Sequence, residues 1–512
     1  MLDSIIAQGA VRTGRVLLRP SILFALATLA VHLLACGGYG FFRDELYFIV
    51  CGQRPAWGYV DQPPLVPLVA QLMWSISGGS LPIFRLAPAI LMSVTVALTA
   101  EFTGGLGGGR FAQALAGLCM FGAGIFLADG TLLTTDVFQA LTWLGCSWCI
   151  VRLAETGNEK WWLGFGAMVA VSVWSKYLVG FYVIGLAVGI LATPLRRTLL
   201  KPWLWLGALL AAVIVFPNLL WQYQHGWPFV EIGKAGVEGK NVALSLQAYL
   251  GQQVLLLGPV AAPVWILGLW SFGIKPKLPA YRVFAIAWVV IIALAVLLHG
   301  KSYYATPIYP VLIAGGAAWI ETVWRRPAVR AIYTSLLAAA SLVVAPLTVP
   351  LLPVAIFVDY QRALRVAPST GEHQKLGELP QYYADMFGWR EMAEKVAAVY
   401  NALAPSDQAK AVFFGRNYGE AAAIDIFGRP LGLPPAVSGH NNYYLWGTEG
   451  HDGSVVIVLG DSPASLRAAY RDVRAAGTID SPYAMPYETN LTIYVARGLK
   501  VPFDWSKIKH YE

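Results

Sequence analysis

Apolar runs of about 20 residues, nearly free of charge, recur from residue 21 to residue 350 and then stop. Each is long enough to cross a hydrocarbon layer of roughly 30 Å. Read against their polar flanks, the runs predict about 11 spans, near 21–40, 81–103, 111–128, 131–151, 161–175, 177–192, 203–222, 249–272, 281–299, 304–323 and 331–350. The pattern predicts a polytopic α-helical membrane protein whose transmembrane part is residues 1–350.

Two stretches break the pattern. Residues 41–80 hold the charged cluster Arg43-Asp44-Glu45, the pair Pro63-Pro64 and an apolar segment, 65–77. That segment is short for a span, so it predicts a helix lying in the interface or re-entering it. After residue 350 charge becomes mixed and turn residues multiply. Residues 351–379 read as a linker and 380–512 as one small α/β domain. The domain is predicted from an amphipathic helix at 389–403, strand-like runs at Ala411-Val412-Phe413-Phe414, at Val455–Leu459 and at Leu491–Val495, and a helical pattern at 463–474.

Composition agrees with the pattern. The chain is 57% hydrophobic and 13% charged, against roughly 25% charged in soluble domains. The net charge of +8 forms no basic stripe and points to topology rather than nucleic acid. Alternate loops carry 15 cations (Arg12, Arg15, Arg19, Arg110, Arg152, Lys160, Arg196, Arg197, Lys201, Lys275, Lys277, Arg282, Arg325, Arg326 and Arg330). The opposite connections hold 7 (Arg43, Arg54, Arg85, Lys176, Lys234, Lys240 and Lys301). This bias predicts a cytoplasmic N-terminus and an external, periplasmic tail. Arg12, Arg15 and Arg19 precede an apolar run without a small-residue cleavage pattern, so the first run reads as an anchor. The five cysteines all lie in the first third, mostly in apolar segments, and suggest no disulfide framework. Cys146 and Cys149 form a CxxC without a second ligand pair and read as packing residues.

The candidate chemistry gathers on the external side. Asp44 and Glu45 directly follow a span, where partial loss of solvent makes a carboxylate a better base. Asp136, after the turn at 129–135, sits at the membrane boundary, although Thr134 or Thr135 is equally suited to cap the following helix. Lys301 with Tyr303 and Tyr304 offers a cation and phenolic donors of the kind a phosphate leaving group needs; snorkelling is the plainer role for the lysine. His225 ends a span among aromatic residues and also suits an interfacial belt, as do Trp161, Trp162, Trp203, Trp205 and Trp221. In the tail, Asn417-Tyr418-Gly419 and the polar, aromatic loop around His440 and Asn441 either make turns or face an acceptor. There is no P-loop, dinucleotide fingerprint or nucleophile elbow, so an activated substrate would have to be membrane-borne.

Taken together, Phe42-Arg43-Asp44-Glu45-Leu46-Tyr47, Gly58-Tyr59-Val60-Asp61-Gln62-Pro63-Pro64-Leu65 and Leu132-Leu133-Thr134-Thr135-Asp136 make the chain resemble the bacterial branch of the protein mannosyltransferase and aminoarabinose transferase superfamily. Ser175-Lys176-Tyr177, Asn218-Leu219-Leu220-Trp221, His225-Gly226-Trp227-Pro228 and Lys301-Ser302-Tyr303-Tyr304 extend the resemblance over residues 21–323. It implies the glycosyltransferase C fold and inverting transfer of a sugar from a polyprenyl phosphate to a lipid, glycan or protein acceptor at the outer surface of the bacterial inner membrane. Asp44 matches the catalytic acid, acting as base. Asp136 matches the second acidic position, near the acceptor or a bound divalent cation. Lys301, with Tyr303 and Tyr304, would meet the lipid phosphate, and Glu45, Asp61, Gln62 and His225 the substrates; His440 and Asn441 are expected to meet substrate from the character of their loop. Aminoarabinose transferases have a lysine before the paired prolines where this chain has Gln62, which shifts that phosphate contact toward Arg43, Arg85 or Lys301. The tail motifs Gly388-Trp389, Asn417–Ala421 and Ser438–Asn441 match neither named enzyme, so donor sugar and acceptor do not carry over.

Two other classes share some of these features. A lipid or sugar transporter also uses intramembrane acids and broken spans, but it would show repeated halves and polar residues at the midplane. A membrane-anchored binding protein would account for the tail and leave the paired acids idle.

Overall fold

The computed structural model describes residues 19–512; Arg12 and Arg15 lie outside the described residues. The chain forms two compact units. The first comprises residues up to Cys36, Pro82–Leu220 and Ala243–Leu352, and the second Gly37–Leu81, Trp221–Val242 and Pro353–Glu512.

Among the described residues, five helices are long and apolar enough to cross a membrane: Leu81–Gly105, Val137–Thr156, Pro202–Gln224, Pro279–Leu297 and Pro327–Thr348. Three bent pairs raise the number to eight if each is one span. This count does not confirm the about 11 spans read from hydropathy: the runs at 21–40, 161–175 and 304–323 hold the shorter helices Pro20–Ala35, Trp161–Ser175 and Tyr309–Val323. The run at 111–128 is two helices, Arg110–Gly122 and Gly124–Thr131, bent by 65°. The run at 249–272 is Leu246–Leu257 and Ala262–Gly273, bent by 116° around Gly258-Pro259. A proline has no N–H to continue the helix, which a hydropathy average does not register. The run at 177–192 is the helix Val179–Leu191, turned by 101° into the 3-10 helix Pro194–Leu200.

Val137–Thr156 is the most buried of the long helices, whereas Pro202–Gln224 and Pro327–Thr348 turn most of their apolar surface outward, as lipid-facing helices do. Val137–Thr156 pairs with Trp161–Ser175 through buried polar side chains. The Gln139 amide donates to Ser175 Oγ at 2.6 Å and to the Ser172 carbonyl at 3.0 Å, and Thr142 Oγ1 donates to Ser172 Oγ at 2.9 Å. Such bonds join helices where apolar contact alone does not discriminate partners. Cys146 and Cys149 are free and buried in the same helix, as their reading as packing residues requires.

The second unit contains a mixed five-stranded sheet, ordered β2-β1-β3-β5-β4. Its strands are β1 Ala411–Gly415, β2 Val437–Ser438, β3 Val455–Leu459, β4 Tyr470–Ile479 and β5 Leu491–Leu499. β1 runs parallel to β2 and to β3, while β5 is antiparallel to β3 and β4. All five residues of β3 are buried, as a strand covered on both faces requires. Val412, Val456, Val458, Leu466, Tyr470 and Ala496 form one core of the sheet. The helix predicted over 463–474 stops at Ala469, and Tyr470–Ile479 is an edge strand. Leu466, Tyr470 and Val473 have helical spacing, yet all pack on this core once the chain turns extended after Ala469. The amphipathic segment forms the helix Trp389–Asn401, and the short apolar segment forms Leu65–Ser77.

Candidate active site

In the second unit the site is built from the helix Arg43–Gln53, whose first turn is Arg43-Asp44-Glu45. Acids there are favoured by the exposed N–H groups of the helix start. Glu45 is fully buried and accepts the Phe42 N–H at 2.9 Å, so its carboxylate caps the helix. Asp44 is the accessible acid, its side chain 31% exposed.

Tyr418 holds Asp44, its hydroxyl donating to Oδ1 at 2.7 Å. Burial pushes the Tyr418 phenol well above its ordinary pKa, against the pull of Arg43, so the phenol is the donor of this bond. Local structure puts Tyr418 there. β1 ends at Gly415, and Asn417 Oδ1 caps the next helix, Tyr418–Ala423, accepting from Gly419 N at 2.8 Å and Glu420 N at 3.0 Å. A Cβ at Gly419 would stand 2.5 Å from Arg43 Cγ, so only glycine allows Arg43 this approach.

Arg43 lies 3.6 Å from Asp44 and 3.7 Å from Asp385, donates to the Tyr487 hydroxyl at 2.9 Å and covers the Tyr418 ring at 5.2 Å. Asp385 is 1% exposed, and burial, opposed by Arg43, pushes its pKa up to about 6. The turn at residues 59–62 is tied to the same cluster. The Tyr47 hydroxyl donates to Asp61 at 3.0 Å and accepts the Asn442 N–H at 3.2 Å, while Asn442 Oδ1 accepts the Val60 N–H at 2.6 Å. Tyr59 N donates to the Gln62 carbonyl at 2.9 Å, and the Gln62 side chain is buried.

β1 and β2 are parallel neighbours, so their carboxyl ends emerge together, the usual place for a site on such a sheet. This brings His440, just beyond β2, to 4.9 Å from Tyr418 between ring centroids. The Asn441 side chain instead bonds the Glu512 backbone, donating to its carbonyl and accepting its N–H, both at 3.1 Å. His225 is exposed and stacked on Trp221, with Nδ1 2.8 Å from the Trp221 carbonyl, as an aromatic belt residue would be.

The first unit holds a second cluster. Asp136 precedes the helix Val137–Thr156 and Lys176 follows the antiparallel helix Trp161–Ser175. The bonds from Gln139 to Ser172 and Ser175 join these two ends one turn inside, and Lys176 Nζ then donates to both Asp136 oxygens at 2.8 Å. Each charge also suits the helix end it occupies. Lys176 stands over the rings of Tyr303 and Tyr304, at 5.3 and 5.0 Å. The Lys301 carbonyl accepts from the Tyr249 hydroxyl at 3.1 Å and the Ser302 carbonyl from Gln253 at 2.8 Å, which anchors the 3-10 helix Ser302–Ile308. Arg85 is 1% exposed. Because Lys176 takes both oxygens of Asp136, a divalent cation there would have to displace an ammonium.

The sequence pattern includes Tyr418 and Lys176 only as parts of motifs and does not point to Asp385 or Tyr487. A lone lysine on the cation-poor side, between two apolar runs, was the one available signal.

The chain has the glycosyltransferase C fold. ArnT from Cupriavidus metallidurans, solved bound to undecaprenyl phosphate, superposes with a TM-score of 0.60 at 14% identity, over 93% of this chain and 97% of that one. Its apo structure gives the same TM-score over 95% and 98%. The family described as dolichyl-phosphate-mannose-protein mannosyltransferase matches residues 61–221. The lipid A galacturonosyltransferase RgtD of Rhizobium johnstonii is 24% identical over 243 residues, 45% of this chain and 49% of that protein. The match thus spans about half the length of this relative. The resemblance to protein mannosyltransferases and aminoarabinose transferases read from the motifs is shown by these relatives.

Proposed function

We propose that the chain is an integral membrane glycosyltransferase that moves a sugar from a polyprenyl-phosphate carrier to a lipid, glycan or protein acceptor, inverting the anomeric carbon, with Asp44 as base. The observation that carries this reading is Asp44 itself, which opens a helix, is a third exposed and is held at one oxygen by a phenol, with Arg43 3.6 Å away. The relatives support the donor class: one family is named for a dolichyl-phosphate sugar, and ArnT was solved with undecaprenyl phosphate.

In the reaction, the acceptor hydroxyl attacks the anomeric carbon from the side opposite the phosphate and passes its proton to Asp44. The bond from that carbon to the phosphate oxygen breaks, and its electron pair leaves with the lipid phosphate. Lys301, Arg43 and Arg85 are the cations proposed to meet that charge, with Tyr303 and Tyr304 as donors. Asp136, held by Lys176, is proposed to orient the acceptor. Of the other residues expected to touch substrate, Glu45 and Asn441 bond the backbone, so substrate contact is assigned to Asp61, Gln62, His225 and His440.

We place the reaction on the outer face of the bacterial inner membrane, with residues 380–512 external, on the strength of the 15-to-7 cation bias. Alkaline phosphatase fused after residue 350 should be active; an inactive fusion there, with an active one near residue 197, would reverse the orientation. The activity is tested with purified chain in lipid discs, envelope extract as acceptor, and a set of labelled polyprenyl-phosphate sugars. At least one donor should release polyprenyl phosphate, and release from none would overturn the proposal.

A further inference from the structure

The second unit also assembles three side chains as metal ligands are assembled. Residues 510–512 run alongside 439–441: Asn441 N donates to the His510 carbonyl and His510 N to the Gly439 carbonyl, both at 2.9 Å. The two Asn441 side-chain bonds to the Glu512 backbone extend this pairing. Gly439 is required for it, since a Cβ there would stand 2.0 Å from the Ile508 carbonyl oxygen. The backbone thus fixes the spacing of three donor-bearing side chains. One ligand atom each from His440, His510 and Glu512 lie within 4.8 Å of one another. The His440 and His510 rings meet at 4.9 Å, and His510 Nε2 is 2.8 Å from Glu512 Oε2.

From this geometry we propose that His440, His510 and Glu512 bind a divalent transition cation of the zinc type, with the remaining position open to water. Two imidazoles and one carboxylate suit zinc, and disfavour calcium or magnesium, which take oxygen ligands. Tetrahedral zinc lies roughly 2.0–2.2 Å from each ligand, so the donor atoms, within 4.8 Å of one another, would draw together around it. The ordinary role of His510 and Glu512 is a hydrogen bond with each other; His440, 7% exposed, brings a third ligand atom within 4.8 Å of theirs. The metal would tie residues 510–512 to the loop that follows β2. That loop packs on Tyr418 through His440 and holds the Val60 N–H through Asn442.

The test uses the full chain, free of a polyhistidine tag, stripped with chelator and then titrated with zinc or cobalt ion alone. The expected result is about one metal per chain, with a cobalt absorption spectrum of mixed nitrogen and oxygen ligation. His510→Ala and Glu512→Gln change partly exposed side chains and should leave the protein folded. Each should weaken binding by at least the roughly 10- to 100-fold that loss of an outer hydrogen-bond partner of a metal ligand costs. Absence of a bound equivalent in the unaltered chain, or equal affinity in folded His510→Ala and Glu512→Gln, would overturn the proposal.

Discussion

Asp44 and Asp136 both stand at the start of a helix and both have a cation beside them, yet their surroundings differ in kind. Asp136 gives both oxygens to one ammonium at 2.8 Å, and the pair is less than a quarter exposed. Asp44 gives one oxygen to a phenol, while its neighbour Arg43 divides itself among that same oxygen, 3.6 Å away, Asp385, Tyr487 and the Tyr418 ring. A carboxylate that accepts from an ammonium on both oxygens is suited to orienting a ligand. One held at a single oxygen, by a phenol and a shared guanidinium, and a third exposed can still take up a proton. Two acids with the same motif-level signature are thus fitted to different tasks by what surrounds them.

The contrast is broken or sharpened by four changes. The largest effect is expected from Asp44→Asn, which removes a charge at constant volume and should lower turnover by roughly 10²–10⁴-fold while donor binding persists; near-normal turnover would end the assignment of the base. Lys176→Ala comes next, because it leaves the Asp136 carboxylate without its ammonium. Its cost should lie below the roughly 3–5 kcal/mol of a fully buried pair, read as a lowered thermal midpoint, and adding Asp136→Asn should recover most of it. Failure of the second change to compensate would mean that the two are not coupled.

Tyr418→Phe keeps the ring and removes one hydrogen bond to a charged group, so a loss of about tenfold in kcat is expected, with donor KM unchanged. An equal rise in KM would make the phenol a ground-state contact instead. The smallest effect concerns Asp385. Its folded pKa of about 6 lies above the ordinary carboxylate value, so the folded state holds the proton more tightly than the unfolded state does. The contribution of Asp385 to stability is therefore greatest below about pH 4, falls as pH rises to about 6 and is level above that. Thermal midpoints between pH 4 and 7 should show this decline, and Asp385→Asn should remove it; an unchanged slope in that variant would assign the decline to another group.

How much of this was legible depended on how local each signal is. The helix Leu65–Ser77 and the strands β1, β3 and β5 are written in short-range periodicity and were readable. The broken helices were not, because apolar content continues across Gly258-Pro259 while backbone direction does not. β4 was misread because Leu466, Tyr470 and Val473 satisfy the helical period even though they serve a sheet core. At the site, Asp44 and Asp136 could be found from motifs that lie close in the chain. The pairing of Tyr418 with Asp44 could not, since it spans 374 residues through the order of a sheet, and no local pattern carries that order.

The central claim, that Asp44 removes a proton and Asp136 does not, is tested most directly by varying how much the acceptor needs a base. Asp44→Asn and Asp136→Asn would be assayed in parallel, with one donor and a series of acceptors whose attacking oxygen runs from an ordinary hydroxyl to an already ionised phosphate. The loss caused by Asp44→Asn should shrink along the series toward unaltered turnover, while the loss caused by Asp136→Asn should stay constant. An Asp44→Asn deficit that is the same for the phosphate as for the hydroxyl would contradict the account.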